Sequence, residues 1–315
     1  MTSAKITNDQ IKDAVRRSGY LLEYRVEQIL NRSGYLVQAN EVYPDPLTGK
    51  ARELDITAIA VESIFSSDFK DTIWQRLLIE CVNNSQPIAF FTKPAPAPTA
   101  HIYDLKFSGI PVKIKKGKTW EKLSEFLNMQ EYHHHCRGRI ATQYCSFTAK
   151  KNTNPMEWLA QHEDLHFDSF NKLCFALNHE IDDHYSHTHL YGKESVNVQM
   201  YSPILVVAGD LVEIIPNRRK IEIRNSNHIH FVQSHISNGK SQNYHIDVVT
   251  EKYLPKLLAK IQEEVGRTGR RMRRKAREIQ TNVNRLATAG KSIRSKNAIR
   301  GLLEYRGPWG RDEAR

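Results

Sequence analysis

Two carboxylates sit where the chain otherwise reads as buried strand: Asp55 within RELDITAIA (residues 52–60) and Glu80 within LLIECVNN (residues 77–84). An ionised carboxylate among aliphatic neighbours is costly unless it gains a cation, a metal or a proton. The two segments are close enough in sequence to pair, and adjacent carboxylates repel unless positive charge lies between them. Oxygen-loving Mg²⁺ or Mn²⁺ is the natural occupant, completed by backbone carbonyls, water and a substrate phosphate. Such an ion polarises a phosphodiester and lowers the pKa of an attacking water. Glu23 and Glu27, on a predicted first helix, can add a ligand or orient a water, so the candidate metal set is Asp55, Glu80, Cys81 and Glu23. The competing reading pairs Asp55 and Glu80 with Arg52 or Arg76 at a sheet edge.

These residues need elements to hold them. A helix is predicted from about Asn8 to Ser33, with Leu22, Val26, Ile29 and Leu30 on one stripe and Gly34 as its C-cap. YLVQANEVY, ARELDITAIAV and WQRLLIECV read as strands, the first two joined by the turn PDPLTGK. NNSQPIAFFTK reads as a helix start, with Asn84 or Ser85 as cap and Pro87 in the first turn. Further on, SGIPVKIKKG and GRIATQYCSFTAK suggest strands and TWEKLSEFLNMQEY a helix. NPMEWLAQHEDLHFDSFNKLCFALNHEIDD suggests a long helix packed across the sheet. SPILVVAGDLVEIIP and KIEIRNSNHIHFVQSH are strand-rich, and YHIDVVTEKYLPKLLAKIQEEV joins a strand to a helix. The expected fold class is α/β, a mixed central sheet flanked by helices.

The run GYLLEYRVEQILNRSGYLV, RELDITAIA and LLIECVNNSQPIAFF resembles the core of the PD-(D/E)XK nuclease superfamily, the restriction-endonuclease-like fold. The resemblance is firm over residues 16–92 and looser over 200–262. It implies a nuclease-like domain over residues 1–262, followed by a basic helical arm and tail over 263–315. It matches Glu23 to the helix glutamate, Asp55 to the strand aspartate and Glu80 to the second carboxylate. The position of the family lysine is held by Val82, which can neither orient a water nor offset phosphate charge; Lys93 is the nearest substitute in sequence. The superfamily's eponymous proline is also absent. The resemblance implies a metal-dependent DNA endonuclease or exonuclease in defence or DNA processing, with Asp55, Glu80 and Lys93 as catalytic candidates. The alternative is a catalytically degenerate nuclease fold that binds nucleic acid or a partner protein.

Charge agrees with a polyanionic partner: 46 Lys and Arg against 35 Asp and Glu leave a formal net charge of +11. Nucleic acid is favoured over a membrane, and DNA over RNA. Between Arg267 and Arg300 the only acid is Glu278, so Arg270, Arg271, Arg273, Arg274, Lys275 and Arg277 are candidate phosphate contacts on a helix expected to fray into a basic arm. The last fifteen residues are expected to be poorly ordered. The four cysteines lack CxxC spacing, no run is long and apolar enough to span a bilayer, and the start lacks a signal-peptide core. Reduced thiols in a cytoplasmic protein are the expectation, with a homodimer left open. No P-loop, GxSxG or GxGxxG is present, which argues against NTPase, serine-hydrolase and dinucleotide chemistry. HHHC at 133–136 and HYSHTH at 184–189 carry zinc-type ligands. Neighbouring residues on a regular element point in different directions, however. The expectation is therefore of solvated or hydrogen-bonded histidines that touch phosphates.

Overall fold

The computed structural model describes residues 5–45, 48–65, 71–97, 101–150, 155–162, 166–187, 196–217, 220–237 and 240–292. The expected opening helix is two: α1 (Asn8–Arg17), closed at its start by a capping box between Thr7 and Gln10, and α2 (Tyr20–Arg32). Ser18 takes an extended conformation and its hydroxyl donates to the Val15 carbonyl at 2.6 Å, so the helix breaks before Gly19. Serine and glycine both tolerate this, being poor helix-interior residues. Beyond the break α2 buries Leu22, Val26 and Leu30, the expected stripe. Gly34, at φ +83, lets the Tyr35 N–H reach back to the Leu30 carbonyl and close the helix.

Strands β1 (Leu36–Pro44), β2 (Ala51–Ser63) and β3 (Thr72–Val82) run antiparallel in sequence order, as expected. The next segment departs from expectation. Ile88–Pro94 is a strand, β4, not a helix. Its β-branched and aromatic residues Ile88, Phe90 and Thr92 are buried, and Pro87 lies just outside the strand, where its lack of a donor costs no ladder bond. Next come β5 (Phe107–Ile110) and the hairpin β6 (Lys113–Lys116) and β7 (Thr119–Lys122). The helix expected over TWEKLSEFLNMQEY shrinks to α3 (Leu123–Phe126), because Thr119–Lys122 pairs with β6 around Gly117 at φ +61. After β8 (Arg139–Ala149), the expected long helix is divided: Trp158–His162 forms β9 on the edge of β8, and α4 spans Phe167–His187.

Strands β10 (Asn197–Val207), β11 (Leu211–Pro216), β12 (Ile221–Ser226), β13 (His228–Ser237) and β14 (Lys240–Thr250) complete a twelve-stranded sheet. Its order is β1-β2-β3-β10-β14-β13-β8-β4-β11-β12, with β5 beside β10 and β9 beside β8. Parallel pairs (β3–β10, β10–β14, β8–β13, β4–β11) interrupt antiparallel ones, so the fold is α/β with a mixed sheet flanked by helices. Central strands are buried on both faces and therefore read as unbroken aliphatic runs such as ILVV. On one face α4 packs Phe170, Leu173 and Leu177 with Leu78, Leu205, Phe231 and Val248. On the other, α2 joins α5 (Leu254–Arg274), packing Val26, Leu257 and Ile261 with Ile56, Ile79, Val206 and Val249.

Helix α5 runs unbroken past residue 262, where the nuclease-like domain was expected to end, and is followed by α6 (Ala276–Ser292). Val265, Met272, Ile279 and Val283 are buried with Ile73, Val198, Leu127 and Met129. The segment expected to fray is thus helical as far as Ser292, and its apolar positions hold it up to Val283. The end of the basic run and the final fifteen residues lie outside the described residues. Among the described residues no helix is long and apolar enough to cross a membrane.

Candidate active site

The β2–β3 ladder is registered as far as Ile56 opposite Ile79. One residue beyond that pair stand the two carboxylates. Asp55 Oδ2 accepts the Cys81 N–H at 2.7 Å, so a backbone donor fixes one of its oxygens. Glu80 follows the alternation of β3 onto the face of Leu78, beneath α4, and is 2% exposed. There α4 supplies Lys172, whose ammonium donates to Glu80 Oε2 at 3.1 Å and Oε1 at 3.4 Å. Two contacts set the helix in place: the Tyr43 hydroxyl donates to the Lys172 carbonyl at 3.0 Å, and Arg52 donates to Asp168 in the first turn at 2.8 Å.

The charges are unbalanced. Burial, and then the neighbouring Asp55, push Glu80 up to about 8, even though Lys172 opposes the shift. Asp55 is raised by burial, against the Cys81 N–H and Lys172. Glu23, half-buried on α2, is raised by burial and then by Asp55 and Glu53. The Lys172 ammonium is itself held above its ordinary value, by Glu80 in spite of burial. One ammonium cannot satisfy carboxyls that all resist ionisation, and a divalent cation would relieve the deficit.

Other expectations are placed differently. Arg52 is bound to Asp45 and Asp168, and Arg76 to Gln199 and Glu180, so neither neutralises Asp55 or Glu80. Lys93 lies exposed on β4, five strands from β3 in the sheet order, roughly 24 Å at about 4.8 Å per strand. It is therefore not the substitute lysine; Lys172 is the one at Glu80. Val82 packs into the α4-side core on the face of Glu80. Cys81 offers Asp55 its backbone N–H, while its side chain packs on the α2–α5 side and burial raises its thiol. Glu27 lies half-buried one turn beyond Glu23. Among the described residues, no cluster of three ligand groups includes Asp55, Glu80 or Glu23.

The basic residues divide in two. Arg271 donates to the Leu127 and Asn128 carbonyls at 2.6 and 3.0 Å and to Glu131 at 2.5 Å. Arg273 donates to the Ser63 and Ile64 carbonyls at 3.3 and 3.1 Å, and Lys275 to the Phe126 carbonyl at 2.5 Å. These three fasten the end of α5 to the ends of β2 and α3, and Arg270, Arg274 and Arg277, like Arg273, are exposed.

The histidines are not solvated. His133, His134 and His135 are at most 9% exposed. His133 is extended and the next three residues form a 3-10 turn, so the three rings converge with centroids 4.1–5.2 Å apart. The rule against consecutive residues sharing a direction holds for regular elements and fails at this junction. In HYSHTH only the His184 side chain is described, and it is buried; the rest lies outside the described residues.

Sequence reasoning missed Lys172. The available signal was a lone lysine in FNKLCFALN, beside the apolar stripe of a helix expected to cross the sheet. Comparison with protein-family models, curated proteins and solved structures gave no match to the chain.

Proposed function

We propose that Asp55, Glu80 and Lys172 form the site of a metal-dependent nuclease acting on DNA. The observation that carries this reading is the Lys172 ammonium 3.1 Å from a buried Glu80, which restores to the carboxylate pair the lysine that Val82 lacks. Asp55 and Glu80 suit Mg²⁺ or Mn²⁺, which bind through one or two carboxylates and otherwise keep waters and phosphate oxygens. When bound, such an ion supplies Lewis acidity and a more acidic water. The chain's own contribution is positional. The Cys81 N–H holds Asp55, and Glu80 would exchange its proton for the cation. Lys172, once released from full pairing with Glu80, orients water or offsets charge on the phosphate. The order of Glu23 on a helix and Asp55 and Glu80 on successive strands supports the nuclease assignment, and exposed Arg270, Arg274 and Arg277 suit phosphate contacts.

The test is cleavage of plasmid and linear DNA with Mg²⁺ or Mn²⁺ by the wild type and by Lys172→Met, Asp55→Asn and Glu80→Gln. Loss of an oriented charged donor typically costs on the order of 10²–10³ in rate, which is the expectation for Lys172→Met. Cleavage indifferent to all three substitutions would overturn the assignment. A second reading, a nuclease fold kept for binding alone, is favoured because among the described residues no three ligand atoms within 4.8 Å of one another include Asp55, Glu80 or Glu23. DNA binding without cleavage by the wild type would select it.

A further inference from the structure

A separate set of ligand-type side chains lies on the sheet face opposite Glu80. Strands β13 and β14 alternate: Ile229, Phe231, Ile246 and Val248 enter the α4-side core, which leaves His228, His230, His245 and Asp247 on the other face. The 3-10 turn after His133 and helix α5 close over them. His134 is held at both nitrogens, Nδ1 by Glu264 at 2.8 Å and Nε2 by Asp247 at 3.0 Å, and Glu264 also accepts its backbone N–H. An acid at each nitrogen thus occupies both ring positions of His134. His228 is taken up by the other Asp247 oxygen at 2.7 Å.

His135, His230, His245 and His101 remain, each at most 7% exposed. The His135 ring lies 4.4 Å from that of His230 and 5.3 Å from that of His245, and His230 Nε2 is 2.6 Å from His245 Nδ1. Among the described residues His101 Nε2, His230 Nδ1 and His245 Nε2 have no hydrogen-bond partner. The nearest acid to the last is Asp104, at 3.6 Å, beyond hydrogen-bonding reach. Buried ring nitrogens left without a partner, drawn from the 101 segment and both strands of the hairpin, call for an occupant.

We propose that His135, His230 and His245 bind one transition-metal ion of the zinc class. One nitrogen from each can be chosen so that all lie within 4.8 Å of one another, and His101, Asp104 and His245 form a second, adjoining group that shares His245. Imidazole donors select Zn²⁺, Co²⁺ or Ni²⁺ over Mg²⁺. His135 Nε2 lies 3.1 Å from Asp247, which leaves Nδ1 for the ion and gives the carboxylate–histidine–metal arrangement that fixes a ring's tautomer. A cleft lined by Asp104, His133, His135, His245 and Glu264 gives the ion access. The ion would tie the β13–β14 hairpin to the 133–136 turn. The proposal is independent of the nuclease reading, since Glu80 and Lys172 lie on the other face.

The experiment uses untagged full-length protein stripped by a chelator and titrated with Co²⁺ and with Zn²⁺ against a chromophoric competitor, alongside His230→Gln/His245→Gln and Asp55→Asn/Glu80→Gln. The expected result is one equivalent of Zn²⁺ per wild-type chain, visible d–d bands of low-coordinate Co²⁺, and no competition from millimolar Mg²⁺. The histidine variant should lose at least 100-fold in affinity and the carboxylate variant should bind as the wild type does. Circular dichroism reports whether the histidine variant has folded, and the wild-type Co²⁺ spectrum tests the site without any variant. A folded wild type lacking those bands, or one equivalent bound equally by a folded histidine variant, would overturn the proposal.

Discussion

Replacing Glu80 by glutamine removes the charge from the most perturbed group of the candidate active site and keeps its shape. In the folded chain Glu80 titrates at about 8, against 4.5 in the unfolded chain. Between those values the folded state holds a proton that the unfolded state has lost, so stability must fall as pH rises through this window and level off on either side. At about 1.4 kcal/mol per pH unit, the shift from 4.5 to about 8 amounts to about 5 kcal/mol lost by the wild type and spared in Glu80→Gln. Lys172 does not cancel this gain, because its opposing effect is already contained in that shift and its side chain, 25% exposed, keeps access to water once unpaired. Urea unfolding of both proteins at pH 4.5, 6, 7.5 and 9, without Mg²⁺ or Mn²⁺, measures the difference. It should be near zero at the acid end, grow with pH and reach its plateau above pH 8. Adding Mn²⁺ at pH 9 should restore much of the wild type's loss and leave the variant unmoved. Parallel profiles, or a variant less stable than the wild type at pH 9, would refute the argument that a buried, cation-deficient carboxyl sits at position 80.

If Lys172 does the work that position 82 otherwise would, Val82→Lys alone should not raise cleavage, because it strips an apolar side chain from the core and sets a second ammonium beside the first. The same change made in Lys172→Met should recover part of the lost rate, and no recovery in the double variant would argue that the two positions do not reach one site. Substituting Arg270, Arg274 and Arg277 by alanine should weaken DNA binding and flatten its salt dependence, by about 0.9 in log–log slope for each phosphate no longer neutralised. Arg271→Ala with Arg273→Ala should instead lower the melting temperature, since both guanidiniums hold backbone carbonyls.

Where the sequence was legible, one physical signal dominated. Strands β2 and β3 declare themselves by aliphatic alternation around Asp55 and Glu80, and α2 by its Leu22–Val26–Leu30 stripe. Where it was not, two signals overlapped. A polar cap and a proline precede both helices and buried strands, and IAFFTK is too short to display a period, so β4 resembled a helix start. In TWEK the decisive partner was the lysine-rich strand β6, four residues that carry no apolar pattern of their own. Lys172 reaches Glu80 across 92 residues, a separation over which neither spacing nor propensity says anything. The histidines are a different kind of miss. HIH and HID alternate with apolar residues in the sequence itself, and that pattern puts His228 with His230, and His245 with Asp247, on one side of each strand before any fold is known.

The sheet then decides which cation each group can hold. Glu80 and the histidines occupy strands that lie close together in its order, yet side-chain alternation sends them to opposite faces. Beneath α4 the donors are carboxylate oxygens with an ammonium, a set suited to a hard ion that keeps its water and exchanges it for phosphate. Beneath α5 the donors are buried ring nitrogens, a set suited to a borderline ion of the zinc class. Because the donor chemistries differ, an ion suited to one set would compete poorly for the other. A zinc-class ion among the histidines would also brace β14, which pairs with β10 beside β3, so its removal would be felt at Glu80 as a looser sheet and not as a missing ligand.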